Sequence, residues 1–263
     1  MNEGESRAGA TARRLVLAYE TLLPGRVRGY YVCGSYADGT AVEHSDLDVH
    51  LVLGDALDAA GVDAALRIAA TMRLADPLPV DVRHIPIDEL SSGEHLGLSR
   101  ASRLVAGRDD RDRIVAPSLE QHRRIIGRAT RQAMLALRPG ARGLDDLDFP
   151  DPGGRFLGYD VAQVRATDGA LVPSTRAMVA VACRAANALL ADATGVIAAT
   201  KRESVELYVR HVGDSWAALV AEIHARCNVD WRYAIPDDAA AQRELAGLCR
   251  GLLALERRVL DVV

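Results

Sequence analysis

The chain has 263 residues, with 32 basic against 36 acidic side chains, a net charge of −4 and an apolar share of 49%. That is enough for two domains of ordinary size, each with its own core, and the charge balance lacks the basic excess of a protein that grips nucleic acid by its phosphates. Cys33, Cys183, Cys227 and Cys249 are widely spaced with no C-x-x-C pair, which argues against a zinc site and a disulfide framework. The first residues lack the apolar stretch of a signal peptide, and no run approaches the ~18 apolar residues of a membrane span, so a cytoplasmic protein with no membrane partner is expected.

Apolar positions Leu15, Val16, Ala18, Tyr19, Leu22 and Leu23 predict a helix over Thr11–Leu23, closed by Pro24-Gly25. Val27 to Cys33 is a β-branched and aromatic run that stops at Gly34-Ser35, and Leu47 to Leu53 is a second such run. Asp46 and Asp48 stand two apart at its start. On a strand, that spacing sends both carboxylates to one face while Leu47 and Val49 enter the core on the other. Two hard oxygen donors side by side suit Mg²⁺, which takes one or two carboxylates and completes its shell with water and substrate phosphate. Gly34 admits close approach of a bulky anion, and Ser35 offers a hydroxyl and an N–H. The same alternation makes His50 a same-face neighbour of the aspartates, and a transition-metal site with His44 is the weaker reading.

Asp55 to Arg73 reads as a helix with a weak point at Gly61, closed by Pro77 and Pro79. Leu78 to Ile85 reads as a third strand carrying one acid, Asp81, which read alone is equally a solvent-face residue. Ser102 to Ala106 is expected to form a fourth strand beside the third. The charged run from Arg108 to Arg113 reads as a solvated link that ends a first domain over residues 1–113. In residues 114–263 the period becomes helical. A helix from Pro117 ends at Pro139-Gly140, a long Gly-, Asp- and Pro-rich loop covers Gly140 to Pro173, and helices follow over Ser174–Ala193, Lys201–Val212, Asp214–Cys227 and Pro236–Val262. Thr200 and Asp214 stand at N-cap positions. The expected fold class is therefore α+β, a mixed sheet with flanking helices followed by an all-α bundle.

Gly34-Ser35, ten intervening residues and Asp46-Leu47-Asp48 resemble the signature of the nucleotidyltransferase superfamily related to polymerase beta. The stretch from Ala193 to Cys227 resembles the C-terminal bundle of the aminoglycoside adenylyltransferases that modify streptomycin and spectinomycin. Together the two likenesses cover most of the chain. They imply Mg²⁺-dependent transfer of AMP from ATP to a hydroxyl of a small molecule, an aminoglycoside or aminocyclitol, with release of pyrophosphate. They also imply two metal ions on Asp46 and Asp48, and a third carboxylate, Asp81, acting as a further metal ligand or as the base. Lys201 and Arg184 would reach the triphosphate, alongside Gly34 and Ser35.

Several departures bear on the acceptor. Asp81 stands where the relatives carry a glutamate, Cys227 falls where they carry a nucleotide-contacting aromatic, with Trp231 and Tyr233 close by, and the tryptophan that contacts streptomycin has no match. The acidic loop of Asp145, Asp146, Asp148 and Asp151 would attract a cationic acceptor, although such a run is more often a solvated loop. The rival readings are a nucleotidyltransferase for another biosynthetic small molecule, one acting on protein or RNA as in toxin–antitoxin systems, and a nucleotide-binding module without catalysis. The charge balance argues against RNA, and the intact aspartate pair argues against a catalytically dead module.

Overall fold

The computed structural model describes residues 3–75, 78–166 and 169–263. Pro77, expected to close a helix, lies outside them. Contacts divide the chain into two compact units, Met1–Pro117 and Ser118–Val263.

The first unit runs α1 (Glu3–Leu22), β1 (Val27–Cys33), α2 (Ser35–Asp38), β2 (Leu47–Leu53), α3 (Ala59–Ala75), β3 (Val80–Pro86), α4 (Leu96–Arg100) and β4 (Ser102–Gly107). The strands form one mixed sheet in the order β3-β2-β1-β4. β2 and β3 are parallel, the crossover being made by α3, and β1 is antiparallel to both of its neighbours.

Strict alternation sorts the side chains of β2. Leu47, Val49, Leu51 and Leu53 go to one face with Tyr30 and Val32, where Leu15 and Tyr19 of α1 and Ala65 and Ile68 of α3 cover them. The opposite face carries a smaller core of Tyr31, Cys33, Val52, Ile85, Leu90 and Leu98.

Three expectations are corrected. β4 lies beside β1 at the far edge of the sheet from β3, because its bonds go to Tyr30–Cys33 and not to the third strand. The run from Arg108 to Arg113 is a folded corner. Asp110 is only 1% exposed, its carboxylate accepts from Arg28 Nε and Nη2 at 3.0 and 3.1 Å, and Arg108 and Arg113 lie within ion-pair range. Gly61 falls in the first turn of α3, its N–H bonded to Asp58 Oδ1, so it is no mid-helix weak point.

The second unit contains α5 (Leu119–Ala136), α6 (Arg176–Thr194), α7 (Lys201–His211), α8 (Ala217–Ile223) and α9 (Ala239–Leu260). Ser118 and Gln121 close a reciprocal capping box on α5. Thr200 caps α7 by accepting from Glu203 N. Asp214 instead accepts from Tyr208 Oη and Trp216 N, tying α7 to the turn before α8. α6 is the core helix, buried at Met178, Val181, Ala185 and Leu189 among others. It is long and apolar enough to cross a membrane by length and composition, and most of it is buried inside the protein.

The segment expected to be an unstructured loop contains a hairpin of β5 (Ala162–Arg165) and β6 (Leu171–Ser174). Its earlier part is held by buried Arg138, which pairs with buried Glu256 and donates to the Asp148 carbonyl at 2.9 Å. Asp146, Asp148 and Asp151 each accept from nearby backbone N–H groups, as turn-forming acids do. Beyond α8 the chain winds into a π-helical turn over His224–Asp230.

Candidate active site

Asp46, Asp48 and Asp81 converge. Each offers a carboxylate oxygen, and these oxygens lie within 4.8 Å of one another. Three local features produce this. Asp48 and Asp81 are register partners on the parallel pair β2 and β3, so their side chains rise side by side from one face. Ser45 is buried, its Oγ accepts from Val42 N and its N–H returns to the Val42 carbonyl, which fixes the turn that delivers Asp46. Leu47 N bonds to the Pro79 carbonyl and locks the start of the ladder beneath the triad.

The Gly-Ser turn abuts the same carboxylates across β1, where Cys33 pairs with Asp48. Gly34 has φ +62°, and a Cβ there would stand 2.7 Å from Asp48 Oδ2, so only glycine fits both the backbone and the space. Its N–H is spent on the Ala101 carbonyl at 3.1 Å. The hydroxyl of Ser35, by contrast, makes no hydrogen bond among the described residues. Asp38 Oδ1 accepts from both N and Oγ1 of Thr40, which stiffens the loop leading back to β2.

Electrostatics separate the acids from their neighbours. Burial, reinforced by the Asp48 charge, pushes the Cys33 thiol up to about 12, so it stays neutral beside the triad. Burial, then the Arg83 and His95 charges, lower His50 to about 4, and its imidazole is neutral. An all-oxygen, all-carboxylate donor set flanked by a neutral thiol and a neutral imidazole is the chemistry that suits Mg²⁺.

The two cations expected to reach the triphosphate belong to the second unit. Lys201, the chain's single lysine, opens α7 with its Nζ 5.9 Å from the centroid of the Tyr233 ring. Arg184 is exposed on α6. Burial pushes the Cys183 thiol up to about 11, with the charges of Lys201 and Arg184 acting against that rise. Cys227 is fully buried, and the aromatic beside Lys201 is Tyr233. Tyr233 sits in a left-handed conformation at φ 70°, held by Tyr233 N to the Cys227 carbonyl at 2.7 Å and Thr175 N to the Tyr233 carbonyl at 2.9 Å.

Arg83 and His95 carry no local mark in the sequence. Each acquires its setting only through long-range packing.

The α+β architecture, with its mixed sheet and helical second unit, is shared as a fold with a solved adenyltransferase. Spectinomycin adenyltransferase AAD(9) from Enterococcus faecialis, solved with ATP and spectinomycin, matches it at TM-score 0.57 over 94% of this chain and 98% of that one, with 11% identity. A toxin–antitoxin structure with AMP-PNP is similar over 38% of this chain and 77% of that one at 21% identity, with a TM-score of 0.31. No family model matches the chain, and no curated protein does.

Proposed function

We propose that the protein transfers a nucleotidyl group, AMP from ATP, to a hydroxyl of a small molecule and releases pyrophosphate. The observation that carries this reading is the convergence of Asp46, Asp48 and Asp81 beside a glycine whose missing Cβ keeps space open against Asp48. Asp46 and Asp48 would hold Mg²⁺, with Asp81 as a third ligand or as the base. Bound there, the metal would neutralise triphosphate charge and increase the acidity of the acceptor hydroxyl. Ser35 would donate its hydroxyl to the outer phosphates. Lys201 and Arg184 are proposed as further triphosphate contacts that stabilise the leaving pyrophosphate.

In the reaction, the acceptor oxygen forms a bond to the α-phosphorus as the bond from that phosphorus to the bridging oxygen breaks. The electron pair leaves on pyrophosphate, and the hydroxyl proton passes to Asp81 or to solvent. An ordinary aspartate pKa of about 4 is low for a general base, so that role needs either a hydroxyl made more acidic by the metal or a carboxylate made more basic by its surroundings.

The structural neighbour was solved with spectinomycin, which makes aminocyclitols and aminoglycosides the first acceptors to test. A different biosynthetic alcohol is the second reading, favoured by the hydrogen-bond donors beside the triad described below. The test is incubation with Mg²⁺, each of four labelled nucleoside triphosphates and a panel of aminoglycosides, aminocyclitols and sugars, with adducts read by mass spectrometry. Adduct formation from ATP supports the reading, and failure to bind any Mg-triphosphate removes it.

A further inference from the structure

The triad face of the sheet continues past the carboxylates. One step along β2 and β3, the Asp48–Asp81 pair is followed by His50 and Arg83, which are again register partners on the same face. His95 precedes α4, whose Leu98 packs into the core of this face; it is 4% exposed and within electrostatic reach of His50, Arg83 and Glu94.

Nδ1 of His50 and Nδ1 of His95 are both buried without a hydrogen-bond partner. An orphaned donor is rarer than an orphaned acceptor, so the favoured tautomer of each ring leaves Nδ1 bare and puts the proton on Nε2, the nitrogen left to meet a ligand. Arg83 is exposed and makes no ion pair among the described residues. Arg111, which lies over the Tyr31 ring on this face, is already bonded to Asp109 through Nε and Nη2 at 2.9 and 2.6 Å. The nearest acid on the strand of Arg83 is Asp81, whose charge a bound cation would take up.

We infer that Arg83, His50 and His95 form a subsite for an oxyanion, and that the oxyanion is a phosphate group carried by the acceptor. Three donors suit the three terminal oxygens of a phosphate monoester better than the two of a carboxylate, and a guanidinium is the side chain best shaped for it. The acceptor is preferred over the nucleotide as the source because of the strand order. The Gly34-Ser35 turn follows β1 on one side of β2, whereas Arg83 stands on β3 on the other side. The triad thus divides the face into a triphosphate side and an acceptor side. This inference rests on the transferase reading, and it selects a phosphorylated alcohol over a polycationic aminoglycoside.

The test uses protein with ¹⁵N-labelled histidine, saturated with Mg²⁺ and α,β-methylene-ATP. The His50 and His95 signals are assigned with His50→Gln and His95→Gln, and inorganic phosphate is titrated in. Saturable shifts of both imidazoles are expected, with phosphate affinity weakened about 10- to 100-fold in Arg83→Gln and largely kept in Arg83→Lys. Absent shifts, or equal affinity in Arg83→Gln, overturn the subsite. Phosphate that competes with the nucleotide analogue assigns the anion to the triphosphate and overturns the acceptor assignment, as does spectinomycin or streptomycin turnover unaffected by Arg83→Gln. Failure of the wild type to bind the analogue removes the transferase reading and the subsite's role with it. Analogue binding without histidine shifts removes the subsite alone.

Discussion

The two faces of the four-stranded sheet are built from the same strands and do different work. One is apolar along the whole of β2, with Leu47, Val49, Leu51 and Leu53 sealed under α1 and α3. Along β2 and β3 the other is apolar at the far end, at Val52 and Ile85, and turns polar toward Asp48 and Asp81. The period of two in a strand allows this, since neighbouring residues answer to different environments. Stability is concentrated on one face, which leaves the other free to carry like charges close together. Changes on the first face should therefore cost stability with activity per folded molecule retained, and changes on the second should cost activity with the fold retained.

The largest effect is expected for Asp48→Asn, which leaves the unfolding midpoint near that of the wild type and lowers AMP transfer by on the order of a thousandfold. Thermal melts run beside a pyrophosphate-release assay check it, and comparable turnover in the variant would break the contrast. Next comes Leu51→Ala on the sealed face, with a loss of about 2–5 kcal/mol by denaturant titration and near-normal turnover per folded molecule. Gly34→Ala sharpens the boundary between the faces. Its Cβ would press on Asp48 Oδ2 at 2.7 Å, and a displacement of that size is expected to lower turnover about a hundredfold.

The smallest effect belongs to the corner at Asp110, away from both functions. Asp110→Asn is expected to cost about 1–3 kcal/mol with activity retained. The hydrogen bond from Arg28, then the charges of Arg28, Arg108 and Arg113, hold the Asp110 carboxyl below its ordinary value. A folded pKa below the unfolded one of about 4 means that the contribution is present above that pH and lost as pH falls through the folded value. The variant should therefore show a flatter acid limb in stability measured from pH 5 downward, and an unchanged limb would show that the arginine cage contributes nothing.

What the sequence discloses follows the range of the interactions. β1 and β2 end at the residues their apolar alternation predicts, and the carboxylate pair is legible because Asp46 and Asp48 are two residues apart on or beside one strand. The partner of β4 was beyond reach, since an edge strand of mixed composition carries no local mark of which neighbour it joins. The run around Asp110 looked solvated because nothing local distinguishes the acid that three arginines enclose. His95 reaches the site face only through the folding of α4 against the sheet, so no spacing in the sequence ties it to His50 or Arg83.

The central claim, that Asp46, Asp48 and Asp81 act together on a metal–triphosphate, is tested most directly by Mn²⁺ binding followed by electron paramagnetic resonance, with and without ATP. The account predicts that ATP strengthens Mn²⁺ binding to the wild type and that Asp48→Asn loses this bound signal while remaining folded. Mn²⁺ binding that is equally strong in wild type and Asp48→Asn would contradict it.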